Sequence, residues 1–384
     1  MHGTLDSALR VEWRPLSELG ALVPQWRELA GRALEPNIFY EPAFALPAVP
    51  VFGSDAIAAL VWSRSAPSTL VGFFPARVER RRYGIALPVL VGWTHPYAPL
   101  GSPLIDRELR ESVIDAWLDG MARDPQLPKL ILLPYLPFEG ALANAFDAVC
   151  TRAGRQQAFF ARHARALLAP AAMRAGYLER SIDGKKRKEL RRQRKRLADG
   201  GTVTFIETIE PPAIAHALDD FLDLEARGWK GRAGTAARCQ GEIGRFVEKA
   251  VTALARDGKA RISRLCVNDQ AIAALVTLYS GAAAWCWKIA YDESRARWSP
   301  GVQLLIEVTE RLLGDSRVER ADSCATPDHP MIDHIWHERL MLADCLVCPG
   351  PEAAWRFKLA CTLERMRGGA IGLAKAARDA VARK

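Results

Sequence analysis

Apolar positions along the chain follow two periods, and the changes between them mark the elements. From Leu16 to Leu34, the residues Leu19, Leu22, Val23, Trp26, Leu29 and Ala30 recur near helical spacing and predict an amphipathic helix. Pro-rich turns are expected around Glu41-Pro42 and from Pro47 to Pro50. Two β-rich runs, Ala56 to Trp62 and Thr69 to Val78, flank Ser65-Ala66-Pro67-Ser68, which is a hairpin signature. Val89 to Trp93 reads as strand, Asp106 to Arg123 as helix, Lys129 to Pro134 as a buried strand and Gly140 to Gly154 as helix.

After about Leu168 the pattern restarts. A helix runs to Asp199 and stops at Gly200-Gly201, and Thr202 to Glu207 is strand-like. Helices follow over Ala213 to Arg227 and Gly241 to Asp257. Arg261 to Val267 and Ala271 to Tyr279 form a hairpin turning at Asn268-Asp269. Ala283 to Tyr291 is strand, Val302 to Asp315 helix, Val318 to Cys324 strand, Pro330 to Arg339 helix and Met341 to Val347 strand. Each half thus reads as helix, hairpin, strand, helix, strand. This order predicts an α/β chain of two similar domains, residues 1–168 and 169–348, with a helical tail over 349–384.

The 384 residues, 25% charged and 49% hydrophobic, fit an ordinary globular protein of about two domains. No run approaches the roughly 18 uninterrupted apolar residues of a membrane span, and the first residues lack a basic-then-apolar leader pattern. A cytoplasmic protein is expected. The eight cysteines are scattered, mostly in apolar stretches, and read as small core residues. Cys345 and Cys348 form a CxxC without a second ligand pair. The cluster His329, His334, His337, Asp328 and Asp333 matches no standard zinc spacing, so no metal is expected.

Charge is concentrated in one place. Of the net +9, residues 185–196 (KKRKELRRQRKR) carry +8, leaving +1 for the other 372 residues. Leu190 and Leu197 lie seven apart, so one stripe of this helix can dock while the rest stays cationic. Two readings stay open for the run: a solvated helix face, or a surface for an anionic ligand or partner.

Candidate chemistry gathers in WCWKIAYDESRARWSPGVQLL, Trp285 to Leu305. An apolar strand ends in a short loop rich in Arg, Ser, Pro and Gly, and a helix begins at once. Such a helix start offers backbone N–H groups and the positive dipole end to an anion. Ser299 could cap the helix, Gly301 permits close approach, and Arg295 and Arg297 add charge. Upstream, LEARGWKGRAGT (Leu224 to Thr235) passes from a helix end into a Gly-rich basic loop. Glu225, Trp229 and Lys230 there line either a substrate cleft or a structural turn.

The hairpin, the following strand, the SPG-type loop and its helix resemble the acyl-CoA-binding core of the GNAT acyltransferases. More narrowly, YDESRARWSPG, the basic helix and LEARGWKGRAGT resemble the CelD-like acetyltransferases of cellulose biosynthesis. Those are similar to Fem-type peptidyltransferases, which carry two GNAT-like domains in tandem. The resemblance implies two domains that are each a mixed, mostly antiparallel sheet flanked by helices, residues 169–348 being the acyltransferase. It implies acetyl-CoA or another acyl-CoA as co-substrate, with the pyrophosphate at Ser299, Pro300, Gly301, Val302 and Gln303. The pantetheine would run along Lys288, Ile289 and Ala290. Only Gly301 is present where GNAT loops usually hold more glycine.

GNAT chemistry is direct attack of an amine on the thioester. The resemblance expects a tyrosine as acid on a late helix, and Trp336 stands at about that place, so Tyr291, His337, Cys324 or water would have to serve. For the base, Asp322 and His329 bracket the segment after a strand, and His titrates near neutrality. Glu225, Trp229, Lys230, Asp292 and Trp336 are expected to bind the acceptor, a small-molecule, glycan or lipid amine. The basic helix would face CoA phosphates, an acidic carrier protein or RNA. Two alternatives stay open: a Fem-type transferase using aminoacyl-tRNA, and an inactive scaffold for polysaccharide or lipid assembly.

Overall fold

The computed structural model describes residues 9–64, 68–170 and 174–382, with side chains as far as Gly372. The first half of the sequence contains β1 (Leu9–Pro15), α1 (Val23–Arg32), α2 (Pro42–Phe52), β2 (Ile57–Ser63) and β3 (Thr69–Glu79). There follow β4 (Val89–Gly92), β5 (Leu104–Ile105), α3 (Arg110–Arg123), β6 (Ile131–Pro137), α4 (Ala141–Arg152) and β7 (Gln157–Leu168). The second half contains α5 (Tyr177–Ser181), α6 (Gly184–Ala198), β8 (Val203–Thr208), α7 (Pro211–Arg227), α8 (Trp229–Arg232) and α9 (Gly241–Arg256). It continues through β9 (Ala260–Val267), β10 (Gln270–Ser280), β11 (Ala283–Tyr291), α10 (Pro300–Gly314), β12 (Arg320–Asp322), β13 (Glu338–Val347) and α11 (Ala354–Ala382).

These elements form two compact units. One comprises the described residues up to 40, 52–163 and from 341 onward; the other comprises 41–51 and 164–340. In the first unit the strand order is β1-β2-β3-β4-β6-β13, antiparallel except for the parallel pair β4–β6, with β5 beside β3. In the second it is β8-β9-β10-β11-β12-β7, antiparallel except for the parallel pair β11–β12. The two topologies correspond strand for strand. Yet the sixth strand of each comes from the other half of the sequence: β13 pairs β6, and the end of β7 pairs β12.

Period-two burial explains the layers. Ile131, Leu133, Cys345 and Val347 face α3 and α4 through Trp117, Leu118, Phe146 and Val149, whereas Leu130, Leu132, Leu346 and Cys348 face Phe357, Ala360 and Cys361 of α11. In the second unit, α6 and α10 cover one face through Leu190, Leu197, Leu304, Leu305 and Val308. The stripe anticipated at Leu190 and Leu197 is therefore the docking stripe of α6. On the other side, Phe44 of α2 packs edge-on against Phe246 and Trp287, with centroids 5.4 Å away in each case. Buried Glu41 accepts from the Ser280 hydroxyl and pairs with Lys259, tying α2 into this unit.

Several elements depart from expectation. The helix expected over Leu16 to Leu34 is a 3-10 turn (Leu16–Leu22) followed by α1, because Pro24 is favoured in the first turn of a regular helix and costly in its interior. The expected Pro-rich turns are α2, which holds Pro47 and Pro50 inside because Phe44, Ala45 and Ala48 are fully buried. β1 and β7 have no counterpart in the sequence reading. Residues 65–67 of the first expected turn lie outside the described residues, whereas Asn268 and Asp269 (φ 48° and 64°) turn the second hairpin as anticipated. The tail beyond 348 belongs to the first unit.

The largest correction concerns Pro330 to Arg339, which is no helix. Ile332, Ile335 and Trp336 all insert into the core, the Ile335 and Trp336 N–H groups each close a turn on the Ile332 carbonyl at 2.9 Å, and the chain then extends into β13. Trp336 is fully buried, with Nε1 donating to Thr309 Oγ1 at 2.9 Å, so it offers no surface to a substrate. Replacing it with alanine is expected to cost about 3–5 kcal/mol by urea unfolding, and Thr309→Val, which strands the indole N–H, about 1–3 kcal/mol.

Candidate active site

β11 carries the site because of how it ends. It runs parallel to β12 for only three pairs, Ala283–Arg320 to Trp285–Asp322, so from Cys286 to Tyr291 one edge lies beyond the reach of β12. On the other edge Val276 pairs with Lys288 and Thr277 with Cys286, which makes Trp287 a β-bulge. The bulge shifts the alternation: Cys286, Ile289 and Tyr291 join the core under α6 and α10, while Lys288 faces the charges of Glu225 and Lys230.

An open cleft of ≈ 290 Å³ lies along this stretch. Its walls are Leu224, Glu225, Gly228, Trp229, Lys230, Ile289, Ala290, Tyr291 and Glu293. Six of these, Glu225, Trp229, Lys230, Ile289, Ala290 and Tyr291, are residues singled out in the sequence. Buried Glu225 receives Lys230 Nζ at 2.7 Å and the Ala237 N–H at 2.9 Å, while Trp229 is 60% exposed at the rim. Gly231 lets α8 fold back, since a Cβ there would sit 1.7 Å from the Ala226 carbonyl oxygen. Burial, then the like charge of Lys230, pushes Lys288 down to about 8, with Glu225 opposing.

Glu293 is a residue the sequence reading missed in favour of its neighbour. Its carboxylate accepts from Arg232 at 2.6 Å and from the Trp229 N–H at 2.7 Å, contacts that hold its pKa below the usual carboxylate range and pin the rim loop. Asp292, expected to bind substrate, accepts from the Ser294 N–H at 3.0 Å and from Arg295 at 3.3 Å, capping the 3-10 turn Glu293–Trp298. Its short side chain closes a local turn, and Glu293 reaches the cleft.

The loop then delivers α10. Ser299 sits in the left-handed region (φ 51°) and Pro300 opens the helix. The Gln303 N–H makes the first helical bond, to the Ser299 carbonyl at 3.0 Å, so the N–H groups of Gly301 and Val302 precede the ladder. A Cβ on Gly301 would lie 3.0 Å from Tyr291 Cδ1 and 3.1 Å from Met331 Cε. Gln303 Nε2 donates to the Trp298 carbonyl at 2.7 Å, and the Arg297 guanidinium lies 4.1 Å over the Trp298 ring. Pro300, Gly301 and Gln303 are buried and Val302 is half-buried. This packed first turn, with two N–H groups outside the ladder, follows the stretch of β11 beyond β12, an arrangement suited to a ligand with an extended amide arm and a phosphate end.

Asp322, His329 and Trp336 do not line the cleft. Asp322 is buried, paired with Arg165, and accepts the Cys324 N–H at 2.9 Å, so its oxygens are engaged within the core. His329 Nδ1 accepts the Met331 N–H at 3.3 Å, and burial holds the ring below the ordinary His range. Burial pushes the Cys286 thiol up to about 12 and raises Cys324 as well, so neither is poised as a thiolate. Among the described residues no group of three His, Cys, Asp or Glu side chains gathers as a metal site.

Residues 184–329, from α6 through the cleft and loop to His329, match the family described as acetyltransferase (GNAT) domain. No curated protein matches the chain. The fold is similar to the crystal structure of FemX, with TM-score 0.57 and 9% identity over 85% of this chain and 95% of that one. It is also similar to the C-terminal domain of a putative lysylphosphatidylglycerol synthetase from Agrobacterium fabrum (TM-score 0.53, 14% identity, 89% and 96% covered). A conserved protein of unknown function from Bacteroides thetaiotaomicron gives TM-score 0.54 at 9% identity over 88% and 99%. Two GNAT-like folds in tandem account for the paired topologies, and with a GNAT acetyltransferase domain over residues 184–329 the protein is an acyltransferase.

Proposed function

We propose that the protein transfers an acetyl or longer acyl group from acyl-CoA to an amine. The observation that carries this reading is the stretch of β11 beyond β12, leading through the 3-10 turn Glu293–Trp298 into the first turn of α10, where the Gly301 and Val302 N–H groups precede the helical ladder. Lys288, Ile289 and Ala290 would lie along the pantetheine. The pyrophosphate would lie at Ser299, Pro300, Gly301, Val302 and Gln303, with Arg295 and Arg297 nearby. The co-substrate, when bound, supplies a thioester whose acyl carbon is attacked and whose thiolate leaves. Glu225, Trp229, Lys230 and Glu293 would receive the acceptor. Cytoplasmic acyl-CoA is the expected donor pool, and the CelD-like acetyltransferases are the kin the sequence favours.

Direct attack needs a neutral acceptor amine and a proton for the thiolate. Lys288 lies outside the cleft walls but faces the charges of their Glu225 and Lys230, and it is the candidate to accept the acceptor's proton. Tyr291 in the same cleft is the candidate donor to the thiolate. His329 is the second candidate base.

The cationic face of α6 favours one further reading, an aminoacyl-tRNA-dependent transferase of the Fem type. α6 packs against the 3-10 turn before α10, so its charge lies beside the loop. An acidic carrier protein at residues 185–196 would use the same face. An inactive scaffold for polysaccharide or lipid assembly would bind no thioester.

Thermal unfolding with CoA, acetyl-CoA and a long-chain acyl-CoA tests the donor. A ligand at about 100 times its Kd should stabilise by about 2.7 kcal/mol. Gly301→Asp should lose the shift, as should the paired change Arg295→Glu and Arg297→Glu, which leaves the Gly301 packing intact. No shift with any thioester, together with a salt-sensitive tRNA complex, would instead establish the second reading.

Trace acetic anhydride labelling from pH 6 to 11, read by mass spectrometry, tests Lys288. Only the neutral amine reacts, so its labelling should rise to half-maximum near pH 8, below that of ordinary lysines at about 10.4. Glu225→Gln removes the charge that favours the ammonium and should move the midpoint lower still. A midpoint above 10 would end the assignment of Lys288 as proton acceptor.

A further inference from the structure

The C-terminal helix has a face that the acyl-transfer chemistry does not use. α11 docks on the first unit through Phe357, Ala360, Cys361 and Glu364, all buried. Its outer side carries Trp355, Leu359 and Met366, exposed by 62%, 36% and 66%. At about 100° per residue these three positions fall within about 40° of one another, forming one narrow apolar stripe. Arg356 and Arg367 border it on one side and Lys358 and Arg365 on the other.

The charge on this face is of one sign. Between Ala354 and Gly372 the only carboxylate is Glu364, and it points inward, accepting from Arg82 at 2.8 Å and from the Tyr83 hydroxyl at 3.0 Å. Between Ala354 and Gly372 the outer side therefore holds four cations and no acid, Arg367 alone among them reaching back to Glu364 at 3.7 Å. We propose that this face of α11 seats the protein on an anionic lipid surface, lying flat with Trp355, Leu359 and Met366 at the headgroup boundary.

The stripe's width favours a lipid over a protein groove. A helix held in a groove presents a broad apolar face at i, i+3, i+4 and i+7, and here that face is already spent on the first unit. A narrow stripe flanked by cations suits a bilayer surface, where long Arg and Lys stems lie along apolar chains while their heads pair with phosphates. Among the described residues no helix is long and apolar enough to cross a membrane, so the contact is superficial. The inference stands apart from the acyl-CoA reading, since it concerns the first unit and needs no thioester.

The test is flotation of the full-length protein with phosphatidylglycerol–phosphatidylcholine vesicles and with phosphatidylcholine alone. Binding to the anionic vesicles only, weakening as salt is raised, is expected. The exposed triple change Trp355→Ser, Leu359→Ser and Met366→Ser should lower vesicle affinity about tenfold or more, and so should Arg356→Glu with Arg367→Glu. Brominated acyl chains should quench fluorescence of the wild type more than that of Trp355→Phe. Because α6 is also cationic, Arg191→Glu with Arg192→Glu serves as the control and should leave the stripe-dependent part intact. No binding to anionic vesicles, or binding unchanged in both α11 variants, would overturn the proposal.

Discussion

The site depends on where one short strand stops. At the end of β12 the Asp322 carboxylate takes the backbone N–H of Cys324, and Cys324 turns into the left-handed region at φ 52°. Arg165 from β7 neutralises that carboxylate in a buried pair, so the turn is held without leaving a lone charge in the core. The chain then leaves the ladder, and β11 continues past its partner with an uncovered edge. Had β12 gone on pairing, the same residues of β11 would form an interior strand with no room for a substrate.

Two further devices shape what that edge presents. The bulge at Trp287 is anchored by the aromatic cluster with Phe44 and Phe246, and it rotates Lys288 toward the charged wall of α7 and α8. Two carboxylates then hold the rim: Glu225 from beneath, through Lys230 and the Ala237 N–H, and Glu293 from the strand end, through Arg232 and the Trp229 N–H. Each ion pair has a backbone N–H as its second partner, which fixes position as well as charge. Trp229 can therefore stand exposed at the rim without the loop around it being loose in hydrogen-bonding terms.

How much of this was legible in the sequence follows from the range of each interaction. The hairpin at Asn268-Asp269, β11 with its SPG loop, and the docking stripe of α6 were readable because periodicity and turn chemistry are local. The cleft wall at Glu225, Trp229 and Lys230 was found through a glycine-rich segment whose need for close approach is also local. Asp322 was read as a base because an isolated carboxylate after a strand looks free; its partner Arg165 lies on a strand the sequence reading had not identified. Trp336 stands where the resemblance expects a tyrosine on a late helix, yet a single turn closed on the Ile332 carbonyl is enough to bury Ile332, Ile335 and Trp336 in the core. The contact between Glu293 and Arg232 joins segments some sixty residues apart, and nothing in either segment announces the other.

The reciprocal placement of β7 and β13 has a consequence for how the protein can be divided. Each repeat, taken as a continuous stretch of sequence, lacks the strand that closes its own sheet and carries the strand that closes the other. A fragment cut at the repeat boundary would expose a bare edge in place of a completed one, and residues 184–329 alone would lose Arg165 and with it the partner of Asp322. The two repeats are therefore interdependent in the way of a clasp: whatever their ancestry as equivalent halves, neither can be inherited, excised or reshuffled as a module without undoing the other.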